Sequence, residues 1–176
     1  MIFHNGQIFR TATEARWARS FEYLQVPYEY EKQVFKLDES FDYLPDFWLP
    51  EQNIWIEVKK EVPKLEERDR AIMLYEITGK KVYIFAGFPN VLSFSDPIRN
   101  GGYIYEICNF GTYVVDDKNP GACIQFPSKT ANEAMMHVLG LTKSDSPIQE
   151  DEFRMLTARF NKAANYGNEN FSWIDY

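Results

Sequence analysis

At 176 residues, 45% hydrophobic and 16% aromatic, the chain has enough apolar content for one domain with a sizeable core, which excludes a disordered polymer. Its 26 Asp and Glu outnumber 19 Lys and Arg, for a formal net charge of −7. That balance excludes coating of nucleic acid by bulk positive charge, so a nucleic-acid site has to be a local patch or bring its own cations as metal. Cys108 and Cys123 lack the number and the CxxC spacing of a zinc site or a disulfide scaffold. No run approaches the roughly 18 apolar residues of a membrane helix, and the expectation is a cytoplasmic protein with reduced thiols and no membrane partner.

In chain order, TATEARWARSFEYLQ places Glu14, Trp17, Ala18, Phe21 and Leu24 on one helical face and Arg16, Arg19 and Glu22 off it, with Pro27 as a stop. YEYEKQVFKL (28–37), DYLPDFWL (42–49) and IWIEVKK (54–60) then read as three strands in meander order. Pro63 suits the first turn of a helix running to about Ile77, with Gly79 just past its end. KVYIFAG (81–87) is a compact apolar strand, and a strand that follows a crossover helix lies most simply parallel in the same sheet. Residues 11–87 thus spell helix, three strands, helix, strand, which is an α/β core.

Further on, YIYEICNFGTYVVDD reads as a β-hairpin around Phe110 and Gly111, ACIQFP as a short strand, and 130–140 and 149–165 as helices. No repeat or linker marks a second domain. The expectation is a single domain over 1–176, with a core at about 10–87 and a C-terminal elaboration at about 88–176.

The stretch DYLPDFWLPEQNIWIEVKK holds the chemistry. If its halves form an antiparallel hairpin with PEQN as the loop, Leu49 faces Ile54, and the same register sets Trp48 against Trp55, Phe47 against Ile56, Pro45 against Val58 and Asp46 against Glu57. Side-chain period two gives one apolar face, Ile54, Ile56 and Val58, and one face carrying Trp55, Glu57 and Lys59. Directly opposed Cβ atoms lie about 4.5 to 5.5 Å apart, a spacing at which like charges are destabilising. A proton, an intervening cation or a bridging divalent metal would relieve the pair. Hard oxygen ligands suit Mg2+ or Mn2+, which activate water and polarise a phosphodiester, and an ammonium beside them stabilises the charge that develops. Glu14, on the inward helix face, is the candidate third acid, since a buried glutamate without a partner is uncommon.

Asp46, then Glu57-Val58-Lys59, preceded by a helix bearing Glu14 in TEARWA, resembles the PD-(D/E)XK nuclease superfamily. More narrowly it is similar to small bacterial and phage restriction-endonuclease-like proteins in which EARWA precedes YLPDFWLP and WIEVK. The likeness covers residues 10–87, and TARFNKA is similar to a C-terminal helix of such proteins. It implies a restriction-endonuclease-like core of helix, three-strand antiparallel meander, helix and parallel strand, with an extra C-terminal β-hairpin and helices. It further implies Asp46, Glu57 and the Val58 main-chain carbonyl as Mg2+ or Mn2+ ligands, Lys59 as the catalytic lysine and Glu14 as an auxiliary acid touching metal or water. The activity implied is hydrolysis of DNA phosphodiesters, as an endonuclease or nickase before an exonuclease. Double-stranded DNA is the expected partner, and a homodimer would supply paired sites.

Each residue has a plainer reading. Thr11-x-x-Glu14 is also a capping box, and Trp48 and Trp55 serve cross-strand packing more readily than base stacking. Asp42, carried past Lys60 to face Glu61, is the lesser alternative to Asp46. Lys60 points to the other face, Lys64, Arg68 and Arg70 alternate with acids as on a solvated helix, Tyr75 packs in the core, and His4 and His137 stand alone. The rival functions are a non-catalytic nucleic-acid-binding or inhibitory protein on a nuclease fold, and an RNA-directed nuclease.

Overall fold

The N-terminus begins with an element that the helical periodicity does not announce. Strands β1 (Ile2–His4) and β2 (Gln7–Phe9) form a hairpin whose turn residues Asn5 and Gly6 both have positive φ, 49° and 81°. Asn-Gly is the sequence signature of that turn, because its twist matches the strands it joins and Gly tolerates positive φ freely. The computed structural model describes residues 1–87, 103–107, 123–125, 136, 138–142 and 150–168.

Helix α1 (Ala12–Leu24) starts at Thr11, whose hydroxyl accepts the Glu14 N–H while the Glu14 carboxylate accepts the Thr11 N–H, a complete capping box. The expected first strand is two short ones: β3 (Glu29–Tyr30) joins the main sheet, and β4 (Phe35–Lys36) pairs instead with β5 (Asp42–Tyr43). Glu31, at φ 47°, breaks the run. DYLPDFWL is split in the same way. Pro45 cannot donate to a ladder, so β5 lies in the small two-stranded sheet and β6 (Phe47–Leu49) in the large one. Strand β7 (Ile54–Lys59) pairs antiparallel with β6 in the expected register: Leu49 with Ile54, Trp48 with Trp55, Phe47 with Ile56.

Helix α2 (Leu65–Thr78) ends at Gly79 in the left-handed conformation, φ 63°. Pro63 lies just before the Lys64 N-cap rather than in the first turn. Strand β8 (Val82–Ala86) is parallel to β7, β9 (Tyr103–Ile107) is antiparallel to β8, and β10 (Cys123–Gln125) is antiparallel to β9. The large sheet therefore has six strands in the order β10-β9-β8-β7-β6-β3. The expected turn at Phe110 and Gly111, and most of the helix at 130–140, lie outside the described residues. A last helix, α3 (Glu150–Asn168), covers the predicted 149–165 and packs on α1; there Arg159 Nη2 donates to the Leu24 carbonyl at 2.8 Å and Ser20 Oγ to the Ala163 carbonyl at 3.1 Å.

Both faces of the sheet are covered. Phe47, Leu49, Ile54, Ile56, Val58, Tyr83 and Phe85 pack with Trp17, Ala18 and Phe21 of α1, and Trp55, Val82, Ile84 and Ala86 pack with Ala71 and Leu74 of α2. Tyr75 borders this second cluster, as expected. The face of β7 expected to carry the charges is covered as well as the apolar one, because a central strand with a helix on each face is buried on both. Arg68 is likewise buried, not solvated. No helix among the described residues is long and apolar enough to cross a membrane.

Candidate active site

Asp46 sits where β6 gives out. Its Oδ2 accepts the Val58 N–H at 2.8 Å, and its main-chain carbonyl accepts the Glu31 N–H at 2.9 Å. Continuing the register sets Pro45 opposite Val58. Proline has no N–H for the Val58 carbonyl, so the ladder offers that carbonyl no donor, while the Asp46 side chain takes the Val58 amide. One local feature, a proline beside an aspartate, thus ends the pairing and turns a carboxylate and a carbonyl toward the same spot.

Glu57 is 2% exposed. Its Oε2 accepts from Lys59 Nζ at 2.9 Å, and its Oε1 is buried with no hydrogen-bond partner. Such an orphaned acceptor is costly and calls for an ion, a donor or a water. Asp46 is 4% exposed, and burial, followed by the Glu57 charge, holds its carboxyl well above the usual carboxylate range. Burial alone would lower the Lys59 ammonium, but the charges of Glu57 and Asp46 outweigh it and raise it. Burial and then the Glu57 charge also push up the Tyr43 hydroxyl on β5.

The like-charged pair is relieved by cations, as one of the anticipated remedies. Besides Lys59, Arg10 Nη2 lies 3.5 Å from Asp46 Oδ1, and its Nε pairs with Glu31. Arg10, Tyr30 and Tyr43 were not among the sequence candidates. The legible signal for Arg10 was the Asn5-Gly6 hairpin, which sets it between β2 and α1.

Glu14 is buried but engaged. Its Oε2 accepts the Arg10 and Thr11 amides and the Tyr30 hydroxyl, and its Oε1 the Thr11 hydroxyl. The capping role is therefore present in full. Glu14 also lies on the α1 side of the sheet, whereas Glu57 shares the Trp55 face that packs on α2. Among the described residues no three acidic, histidine or cysteine side chains come together as a metal cage.

A divalent ion is nonetheless compatible with the donors present. Asp46, the orphaned Glu57 Oε1 and the Val58 carbonyl are hard oxygens, and Mg2+ is commonly held by one or two carboxylates with water and phosphate oxygens completing its shell. The Trp48 and Trp55 rings lie 4.7 Å apart at a tilt of 47°, with the Phe35 ring edge-on to Trp55 and Lys32 over Trp48, so both serve packing. Asp42 pairs with Lys36 in the small sheet and is exposed. His4 is not alone, since its Nε2 lies 2.8 Å from Glu22 Oε2; His137 lies outside the described residues.

Beside the carboxylates, an open cleft of about 480 Å³ runs between the start of α1 and the end of β7, lined by Thr11, Ala12, Thr13, Glu14, Arg16, Val58, Lys59 and Lys60. Lys60 follows the end of β7 and lines this cleft together with Val58, whose face of the strand packs on α1. No protein-family model, curated protein or solved structure matches the chain.

Proposed function

We propose that the protein is a divalent-metal-dependent nuclease that hydrolyses phosphodiester bonds of DNA, with a restriction-endonuclease-like core over residues 10–87. The observation that carries the reading is the buried pair Asp46 and Glu57, with Lys59 Nζ at 2.9 Å from one carboxylate, at a point where the ladder is deliberately broken. The element order, in which β7 is followed by a crossover helix and a parallel strand, supports it.

Asp46, Glu57 and the Val58 carbonyl would hold the ion. Bound there, Mg2+ or Mn2+ lowers the pKa of a water, polarises the phosphodiester and offsets developing charge. Lys59 lines the cleft with its ammonium anchored on Glu57, and there it would donate to the phosphoryl oxygens as they gain negative charge. Arg10, held by Glu31, orients Asp46 and offsets part of the repulsion between the carboxylates. Glu14 fixes the start of α1, and with it one wall of the cleft. A cytoplasmic setting and a homodimer with paired sites belong to the same proposal.

The test is incubation of wild type, Asp46→Ala and Lys59→Ala with supercoiled, linear and single-stranded DNA, and with structured RNA, in Mg2+ or Mn2+. Cleavage of DNA by wild type alone is the expected result. Equal survival of every substrate with all three proteins would overturn the enzyme and leave a binding or inhibitory protein on this fold. Cleavage confined to RNA would reassign the substrate.

A further inference from the structure

Resting on the nuclease reading, we infer that the cleft between α1 and β7 is a second phosphate subsite, which seats the backbone phosphate next to the one being cut on the same strand. The cleft begins at Lys59, whose ammonium is tied to Glu57, and runs past Val58 to Lys60 and across to Arg16 on α1. Three cationic side chains thus line one concavity in a chain of net charge −7. Local positive charge against an acidic whole marks where a polyanion is admitted and where it is repelled.

The remaining wall suits the same ligand. The first N–H groups of a helix have no intrahelical acceptor. The Thr11 hydroxyl takes that of Glu14, and the helix itself offers no acceptor to those of Ala12 and Thr13 on the cleft wall. Among the described residues Glu14 is the one carboxylate lining the cleft, and its oxygens already accept from Arg10, Thr11 and Tyr30. A volume of about 480 Å³ falls within the range of roughly 300–1,000 Å³ found for small-molecule sites, so a nucleotide unit fits. Because Lys59 borders both places, a strand held in the cleft has its neighbouring phosphate at Asp46 and Glu57.

The experiment is equilibrium binding of a short fluorescent single-stranded DNA in EDTA over a series of salt concentrations, followed by cleavage of the same DNA in Mg2+. Wild type is compared with Arg16→Ala/Lys60→Ala, with the exposed single variant Lys60→Glu, which does not disturb α1, and with Lys36→Ala on β4 as control. The expected result is about tenfold weaker binding for the double variant, with a log–log salt slope shallower by about 0.7 for each lost phosphate contact. Lys60→Glu weakens binding in the same direction, and Lys36→Ala matches wild type.

Unchanged affinity and slope in both cleft variants would overturn the subsite even if the DNA is cut. Wild type that binds through the cleft but leaves the DNA intact in Mg2+ would uphold the subsite and defeat the catalytic reading. Wild type that does not bind the DNA at low salt would defeat the subsite, while cleavage in Mg2+ would still judge the active site on its own.

Discussion

Replacing Asp46 by Asn separates the structural cost of the site from its ion-binding role. Two unit charges about 5 Å apart at an effective dielectric constant of about 20 repel by about 3 kcal/mol. Arg10 and Lys59 offset part of this, and Asn still accepts the Val58 amide, so Asp46→Asn is expected to stabilise the ion-free protein by about 1–2 kcal/mol at neutral pH. Adding Mg2+ reverses the order. At an ion concentration about 100 times Kd, wild type gains about 2.7 kcal/mol, and the variant, lacking one carboxylate, gains little. The sign with pH is also set. The folded Asp46 carboxyl is raised, so its contribution is fully present below the ordinary carboxylate pKa and is lost as pH rises through the raised value. Wild-type stability in EDTA should therefore fall across that window, and the advantage of Asn over Asp should vanish at its acid end. Urea denaturation at several pH values, with EDTA or Mg2+, reads all three effects. An Asp46→Asn variant that is less stable than wild type in EDTA at neutral pH, or that gains as much from Mg2+, would refute the reasoning.

Lys59→Met removes the partner of a buried carboxylate, and a loss of about 2–3 kcal/mol in EDTA is expected, together with a fall of at least ~100-fold in cleavage rate while Mg2+ stabilisation persists; denaturation and single-turnover assays check both. Glu14→Ala breaks the capping box and should cost about 1 kcal/mol with the Mg2+-dependent stabilisation unchanged, because the carboxylate serves α1; loss of that stabilisation in a melting assay would instead make Glu14 an ion ligand. Trp17→Ala empties a site between α1 and the sheet, where Trp17 Nε1 also donates to the Gly87 carbonyl, and should lower unfolding free energy by about 3–5 kcal/mol in urea. Gly79→Ala meets no neighbouring atom, yet should lose about 1 kcal/mol, since φ there is 63° and only the backbone conformation resists.

The core helices and strands were legible because their patterns are local. Trp17, Phe21 and Leu24 recur at helical spacing, and Gly79 punctuates α2 where the chain needs positive φ. The register of β6 on β7 was legible too, because a one-residue slip would have turned Phe47 and Ile56 out of the core. Two long strands were misread for the same local reason. Their alternation continues across Glu31 and Pro45, and nothing in the pattern shows that the chain leaves the large sheet there to build the β4–β5 pair. The Asn5-Gly6 turn is just as local, since both residues take the positive φ that this pair favours.

The sequence by itself determined the α/β order of residues 11–87 and the β6–β7 register, which leaves Asp46 within electrostatic reach of Glu57 and Lys59, because periodicity and register depend only on neighbours along the chain. Only the tertiary structure decided that β7 is buried on both faces, that Glu14 is spent on Thr11 and Tyr30, that Arg10 reaches Asp46 and that Lys60 joins Lys59 in one cleft. Those contacts join residues far apart in the chain, and burial, charge and orphaned hydrogen-bonding groups acquire their consequences where such segments meet.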